Sequence, residues 1–135
     1  MSRKRIALIA HDHMKDDLVE WATANKQRLA LAELYATSTT GGLIEQALEV
    51  PITKLQSGPY GGDQQIGAMI AEGRIDILIF FWDPLHPLPH DQDIKALLRI
   101  AVLWNIPVAC NRSTADFIFS SPLFEEDYQP KRPKR

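Results

Sequence analysis

The stretch SGPYGGDQQIGAMI at residues 57–70 places one carboxylate, Asp63, between a glycine-rich turn and an apolar-periodic run. A carboxylate there has two uses. It can cap a helix by accepting hydrogen bonds from the first backbone amides, or, kept poorly solvated among glycine amides, it can take a proton as a general base. The segment TSTTG at 37–41 poses a parallel choice. Its hydroxyls and free amides meet at a helix start, where the helix dipole favours negative charge, so it reads either as an N-cap or as a cradle for a phosphate or carboxylate. Ser57 and Gly58 repeat the device, because glycine lets the backbone approach a ligand. Lys15 adds a local cation. Neither segment is a Walker A loop and no GxGxxG occurs, so a bound nucleotide is not indicated.

Four histidines supply the rest of the candidate chemistry: His11 and His13 in AHDHMK, and His86 and His90 in DPLHPLPHDQD. A neutral imidazole can donate to substrate oxygens or shuttle a proton between them. Alternatively His11 and His13, two apart on an extended segment, could join Asp63 or Asp83 as metal ligands. Asp12, Asp83, Asp91 and Asp93 suit the fixing of an imidazole tautomer or the capping of a helix that starts near 91. Spacing alone leaves these alternatives open.

These residues share a position in the pattern of elements. RIALIA (5–10), ELYAT (33–37), ITKLQ (52–56), IDILIFFW (75–82) and IPVAC (106–110) read as strands. Helical stretches are predicted near 15–30, 40–49, 63–73, 90–104 and 113–120. The best of them carries Ile94, Leu97, Leu98, Ala101 and Val102 on one face. The alternation predicts an α/β fold in one domain, with a parallel, doubly wound sheet of five strands. IDILIFFW, apolar throughout most of its length, is expected at the centre. In such a sheet every loop that follows a strand opens on one edge, where ligands of open α/β sheets bind. All four histidines, Asp63, Lys15 and both cradles fall at that edge.

A chain of 135 residues with 45% hydrophobic and 24% charged residues is large enough for one buried core. Its single cysteine, Cys110, excludes an internal disulfide and a cysteine metal cluster, and fits a reducing cytoplasm. The apolar run after the basic start is too short for a signal peptide or a membrane span. Seven of the fifteen basic residues lie within 3–5 and 131–135, which leaves an acidic body. That balance argues against a nucleic-acid-binding face, and the PKRPKR end reads as a solvated tail.

In order and spacing, IALIAHDH, LYATSTTG, SGPYGGDQQIGAMI, DILIFFWDPL and PHDQDIKALLRIAVLWNIPVACN resemble the methylglyoxal synthase family. The likeness runs from about Ile6 to Pro122, with 1–122 as the domain and 123–135 as a short mobile basic tail. It implies a single-domain, Rossmann-like three-layer sandwich with a five-stranded, mainly parallel sheet, and conversion of dihydroxyacetone phosphate to methylglyoxal and inorganic phosphate without metal or organic cofactor, in a cytoplasmic homohexamer inhibited by phosphate. By the same likeness Asp63 is the catalytic base, and His90 and His11 surround the substrate oxygens. Lys15, Thr37, Thr39, Thr40, Ser57 and Gly58 are implied to bind phosphate, and Asp12 and Asp93 to orient or support the acid–base groups. Ser38 stands at the cradle where the family usually has glycine, Gln92 replaces a common proline, and Tyr60 a common aliphatic residue. Two other functions use the same residues differently: a phosphate-sensing module of this fold needs the cradle but no base, and a metal-dependent phosphohydrolase would spend the histidines on a metal.

Overall fold

The computed structural model describes residues 3–85 and 91–133, with 91–93 described by their backbone alone. Five strands, β1 (Arg5–Ala10), β2 (Glu33–Thr37), β3 (Thr53–Leu55), β4 (Ile77–Phe81) and β5 (Val108–Ala109), form one sheet in the order β3-β2-β1-β4-β5. Every pairing is parallel. The chain winds outward from β1 to β3 on one side and then crosses to β4 and β5, so the topological switch lies between β1 and β4.

Among the described residues, α1 (Lys15–Ala24), α2 (Lys26–Ala30), α3 (Ser38–Leu48), α4 (Gly62–Ala71) and α5 (Asp91–Leu103) connect the strands, and α6 (Arg112–Ser120) follows β5. They cover both faces of the sheet, and the period of two along a strand divides its side chains between two cores. Ile6, Leu8 and Ala10 of β1, with Ile77, Ile79 and Phe81 of β4, join the core that holds Leu18 and Trp21 of α1, Ile44 of α3 and Phe119 of α6. The alternate residues Ala7, Ile9, Leu78 and Phe80 pack with Ile66 and Ile70 of α4 and Ile94 and Leu97 of α5. β4 is buried at every position, as its unbroken apolar run predicts.

The differences from expectation have local causes. The stretch 15–30 is two helices, because Asn25 between them departs from helical dihedrals, at φ −112° and ψ 22°, while its side chain and its backbone N–H both donate to the Trp21 carbonyl, at 2.9 and 3.1 Å. β4 begins at Ile77 because the Asp76 carboxylate accepts from the Arg5 backbone amide at 2.8 Å and pairs with its guanidinium at 3.1 Å. β5 is two residues long, at the sheet margin and straight after Pro107, which has no N–H for a ladder. Cys110 is half-buried. Among the described residues no strand follows α6. Lys4 Nζ donates to the Glu126 carbonyl, Asn105 Nδ2 to that of Lys131, and Arg132 to that of Trp104.

Phe119 meets Trp21 edge-on at 4.7 Å between ring centroids and Phe124 at 4.5 Å, so one ring joins α6, α1 and the turn that follows α6. Phe119→Ala is expected to cost about 3–5 kcal/mol. Urea denaturation should show this as a lower midpoint at an unchanged m-value.

Candidate active site

A cavity of about 200 Å³ opens at the carboxyl ends of β1, β2, β3 and β4. β1 and the residues after it contribute His11, Asp12, His13 and Lys15; β2 contributes Thr37 and Thr39; β3 contributes Ser57, Gly58 and Pro59. Asp63 of α4 and Asp83 after β4 complete the wall. A hollow of similar size lies at the opposite edge, but Ile77, Ile118, Leu123 and Phe124 make it largely apolar, and its carboxylate, Asp76, is committed to Arg5. Candidate acid–base and anion-binding groups named in the sequence line the cavity at the carboxyl edge.

Asp63 is the second residue of α4 and its side chain is buried, with 3% of the residue exposed. It is not the cap. That position is Gly61, which takes φ +100°, a left-handed conformation that favours glycine, and has no side chain to cap with. Gly62 is constrained by space instead: a Cβ there would stand 2.0 Å from the Gln56 carbonyl oxygen. The two glycines let the chain turn from Ser57 into α4 tightly enough to set Asp63 in the cavity wall, at a first turn where the helix dipole stabilises a carboxylate.

His11 follows β1 at the topological switch. Its Nδ1 accepts from the backbone N–H of Asp83 at 3.0 Å, which bridges the ends of β1 and β4. An accepting Nδ1 has no hydrogen, so in the neutral ring the hydrogen is on Nε2, and that atom is buried. The ring stands edge-on to Phe80 at 5.2 Å. His11 is thus an imidazole of set tautomer that carries its N–H on Nε2. Asp83 is itself buried: Oδ1 accepts from the Leu85 amide at 3.0 Å, and Oδ2 lies 3.6 Å from His13 Nδ1.

Both cradles are left open by their own caps. Thr37 is the N-cap of α3 and Ser57 that of the 3₁₀ turn Gly58–Tyr60, and among the described residues neither hydroxyl bonds to the turn it precedes. At the end of β5, by contrast, Asn111 accepts from Thr114 N at 2.9 Å and caps α6 in the usual way. Lys15 is largely buried, at 15% side-chain exposure, and its Nζ donates to Asp12 Oδ1 at 2.7 Å and to the Ala10 carbonyl at 3.1 Å. Asp12 is 92% exposed and holds Lys15 from the solvent side.

Of the remaining expected site residues, Ser38 is exposed and Thr40 is buried with its hydroxyl unpaired among the described residues; neither lines the cavity. His86 and His90 lie outside the described residues, as does the side chain of Asp93. Among the described residues no group of three or more His, Cys, Asp or Glu is arranged to hold a metal ion. His13 and Asp83, both offered above as metal ligands and Asp83 also as a tautomer-fixing partner, stand at the predicted edge, and it is the Asp83 backbone N–H rather than its carboxylate that meets His11. For Asp83 the signal is its place directly after the buried run that ends in FFW.

The model of the MGS-like domain family matches residues 17–110. A methylglyoxal synthase of Coxiella burnetii is 59% identical over 133 residues, which cover 98% of this chain and 93% of the relative. The chain belongs to the methylglyoxal synthase family. A methylglyoxal synthase of Leptospira interrogans is 60% identical over 93% of this chain and 85% of its own. The crystal structure of methylglyoxal synthase from Elizabethkingia anophelis NUHP1 superposes with a TM-score of 0.91 at 56% identity, over 97% of this chain and 86% of that one. Family membership therefore covers all four strand ends that build the cavity.

Two expectations follow from the geometry. Gly62→Ala should cost about 1–3 kcal/mol through its clash with the Gln56 carbonyl, and should lower activity further by displacing Asp63; denaturation and turnover of one preparation check both. The Asp12 carboxyl is held below its ordinary pKa, by the hydrogen bond from Lys15 first and by the charge of Lys15 second. A carboxyl lowered by folding contributes stability that is fully present above its unfolded pKa and is lost as pH falls through the folded value. Exposure keeps this contribution small. Carbon-detected NMR titration should place the Asp12 midpoint below that of an unpaired aspartate and raise it in Lys15→Ala; the same midpoint in both proteins would rule out the ion pair.

Proposed function

We propose that the cavity converts dihydroxyacetone phosphate to methylglyoxal and inorganic phosphate. One observation carries this reading: a buried carboxylate, Asp63, and an imidazole offering Nε2–H, His11, share a wall with two helix or turn starts whose caps are open, and with Lys15. The substrate phosphate is assigned to Lys15, Thr37, Thr39 and the Ser57–Gly58 turn, with Ser38 and Thr40 contributing through the backbone of the first turn of α3. Amides that point at an anion from a helix start bind it without rearrangement.

Asp63 then removes a proton from the hydroxymethyl carbon beside the carbonyl. The C–H electron pair becomes the C=C bond of an enediolate, and the negative charge on oxygen is met by the Nε2–H of His11, a donor already in place before the charge develops. The phosphate leaves when its C–O bond stands perpendicular to the enediolate plane. The electron pair of the enediolate expels it, and the enol that remains tautomerises to methylglyoxal. Holding the phosphate at two rigid turns sets that torsion, so binding and chemistry share the same contacts. His90 is proposed as the second imidazole at the substrate oxygens and Asp93 as its support, on the strength of the family pattern in PHDQD. Asp12 supports the site through Lys15.

The product phosphate fits the cradle that held the substrate, which supports inhibition by inorganic phosphate. A cytoplasmic homohexamer is the assembly and setting that the family resemblance supports. No helix among the described residues is long and apolar enough to cross a membrane.

The test is to incubate the protein with dihydroxyacetone phosphate, with and without EDTA, and to measure methylglyoxal and phosphate together. Equal yields of both products, unaffected by EDTA, are expected. Phosphate without methylglyoxal would indicate a phosphohydrolase, and binding without turnover a sensing module. Asp63→Asn should remain folded and lose roughly 10²–10⁴-fold in kcat; a folded variant with full activity would remove Asp63 from the mechanism.

A further inference from the structure

Gln56 joins the end of β3 to the turn at Ser57–Gly58, and α4 grips its peptide group from both sides. The Gln56 N–H donates to Gln65 Oε1 at 2.9 Å. The Gln56 carbonyl lies against Gly62, close enough that no Cβ fits between them. A third link follows at once, from the Gly62 N–H to the Ser57 carbonyl at 3.0 Å. Two of the three links are made by backbone. The Gln65 amide is the one side chain among them, and the N–H it faces settles its orientation: oxygen toward Gln56, nitrogen away.

Gln65 sits two residues beyond Asp63 on α4. It therefore ties the turn assigned to the phosphate to the helix that carries the assigned base. We propose that Gln65 is a positioning residue that sets the separation between the phosphate turn and Asp63, and through it the balance between elimination and isomerisation. This rests on the proposed function. An enediolate whose C–O(phosphate) bond is perpendicular to its plane expels phosphate. If the turn drifts, that bond rotates toward the plane and the enediolate survives until it takes back a proton. Return to the carbon that lost it regenerates dihydroxyacetone phosphate carrying a solvent hydrogen. Return to the neighbouring carbon gives glyceraldehyde phosphate. Gln65 is exposed and does not line the cavity, so its replacement acts through the position of the turn.

The experiment compares the wild type, Gln65→Leu and Gln65→Glu on dihydroxyacetone phosphate in deuterium oxide. Methylglyoxal, glyceraldehyde phosphate and deuterium in recovered substrate are measured, together with inhibition by inorganic phosphate. Gln65→Leu removes the acceptor, and is expected to raise the phosphate inhibition constant roughly three- to tenfold and to increase both isomer and deuterium relative to methylglyoxal. Gln65→Glu keeps an acceptor oxygen in place and should restore all three towards wild type. Hydrogen exchange at the Gln56 amide should quicken in the leucine variant and not in the glutamate one. A leucine variant with wild-type partition and phosphate inhibition, or a glutamate variant no better than leucine, would overturn the positioning role and leave the proposed function standing. A wild-type protein that makes no methylglyoxal would overturn both.

Discussion

Helix α3 and the turn at Gly58 start without help from the hydroxyls that precede them. A forgone Ser or Thr cap costs on the order of 0.5–2 kcal/mol, and here two are forgone side by side in one cavity wall. Backbone amides left in this way are donors in fixed directions, backed by the dipole of α3 and by the Lys15 ammonium. The site is thus arranged for an anion before one arrives. The cost is tolerable because thirty-two apolar side chains are buried among the described residues, and because Asn111 and Ser121 do cap the elements they precede.

The parallel sheet makes this arrangement possible. Since every strand runs the same way, the exits of β1, β2, β3 and β4 share one edge, and a residue just after each strand has its neighbours chosen by topology rather than by sequence separation. The Asp83 amide reaches His11 across 72 positions of chain for that reason. The same bond sets the imidazole tautomer, so strand order has a direct chemical consequence at Nε2. Gly62 plays the corresponding part on the other side, where contact with the Gln56 carbonyl lets Asp63 stand near the phosphate turn.

Much of this is legible in the residues. Alternating apolar runs and helical stretches indicate the five strands and the edge at which Asp63, His11, Lys15, Thr37 and Ser57 gather, because period-two and period-3.6 patterns directly encode which side faces the core. Tertiary bonds are not encoded that way. The late start of β4 at Asp76 and the use of Asp83's backbone rather than its carboxylate to hold His11 each depend on a partner brought in by folding. Asp63 illustrates the limit: its place at a helix start can be read from SGPYGGD, but that Gly61 occupies the cap, leaving the carboxylate in the cavity wall, follows only from the backbone geometry of the turn.

The central claim is that open helix starts at the ends of β2 and β3 receive the phosphate. The most direct measurement is a titration of the isotopically labelled protein with inorganic phosphate, followed by amide NMR. The account predicts that the largest downfield shifts fall on the amides of Ser38, Thr39, Thr40 and Gly58, with α6, already capped by Asn111, unmoved. Shifts centred on the basic residues Arg3–Arg5 and Lys131–Arg132, with the amides after Thr37 and Ser57 unchanged, would contradict it.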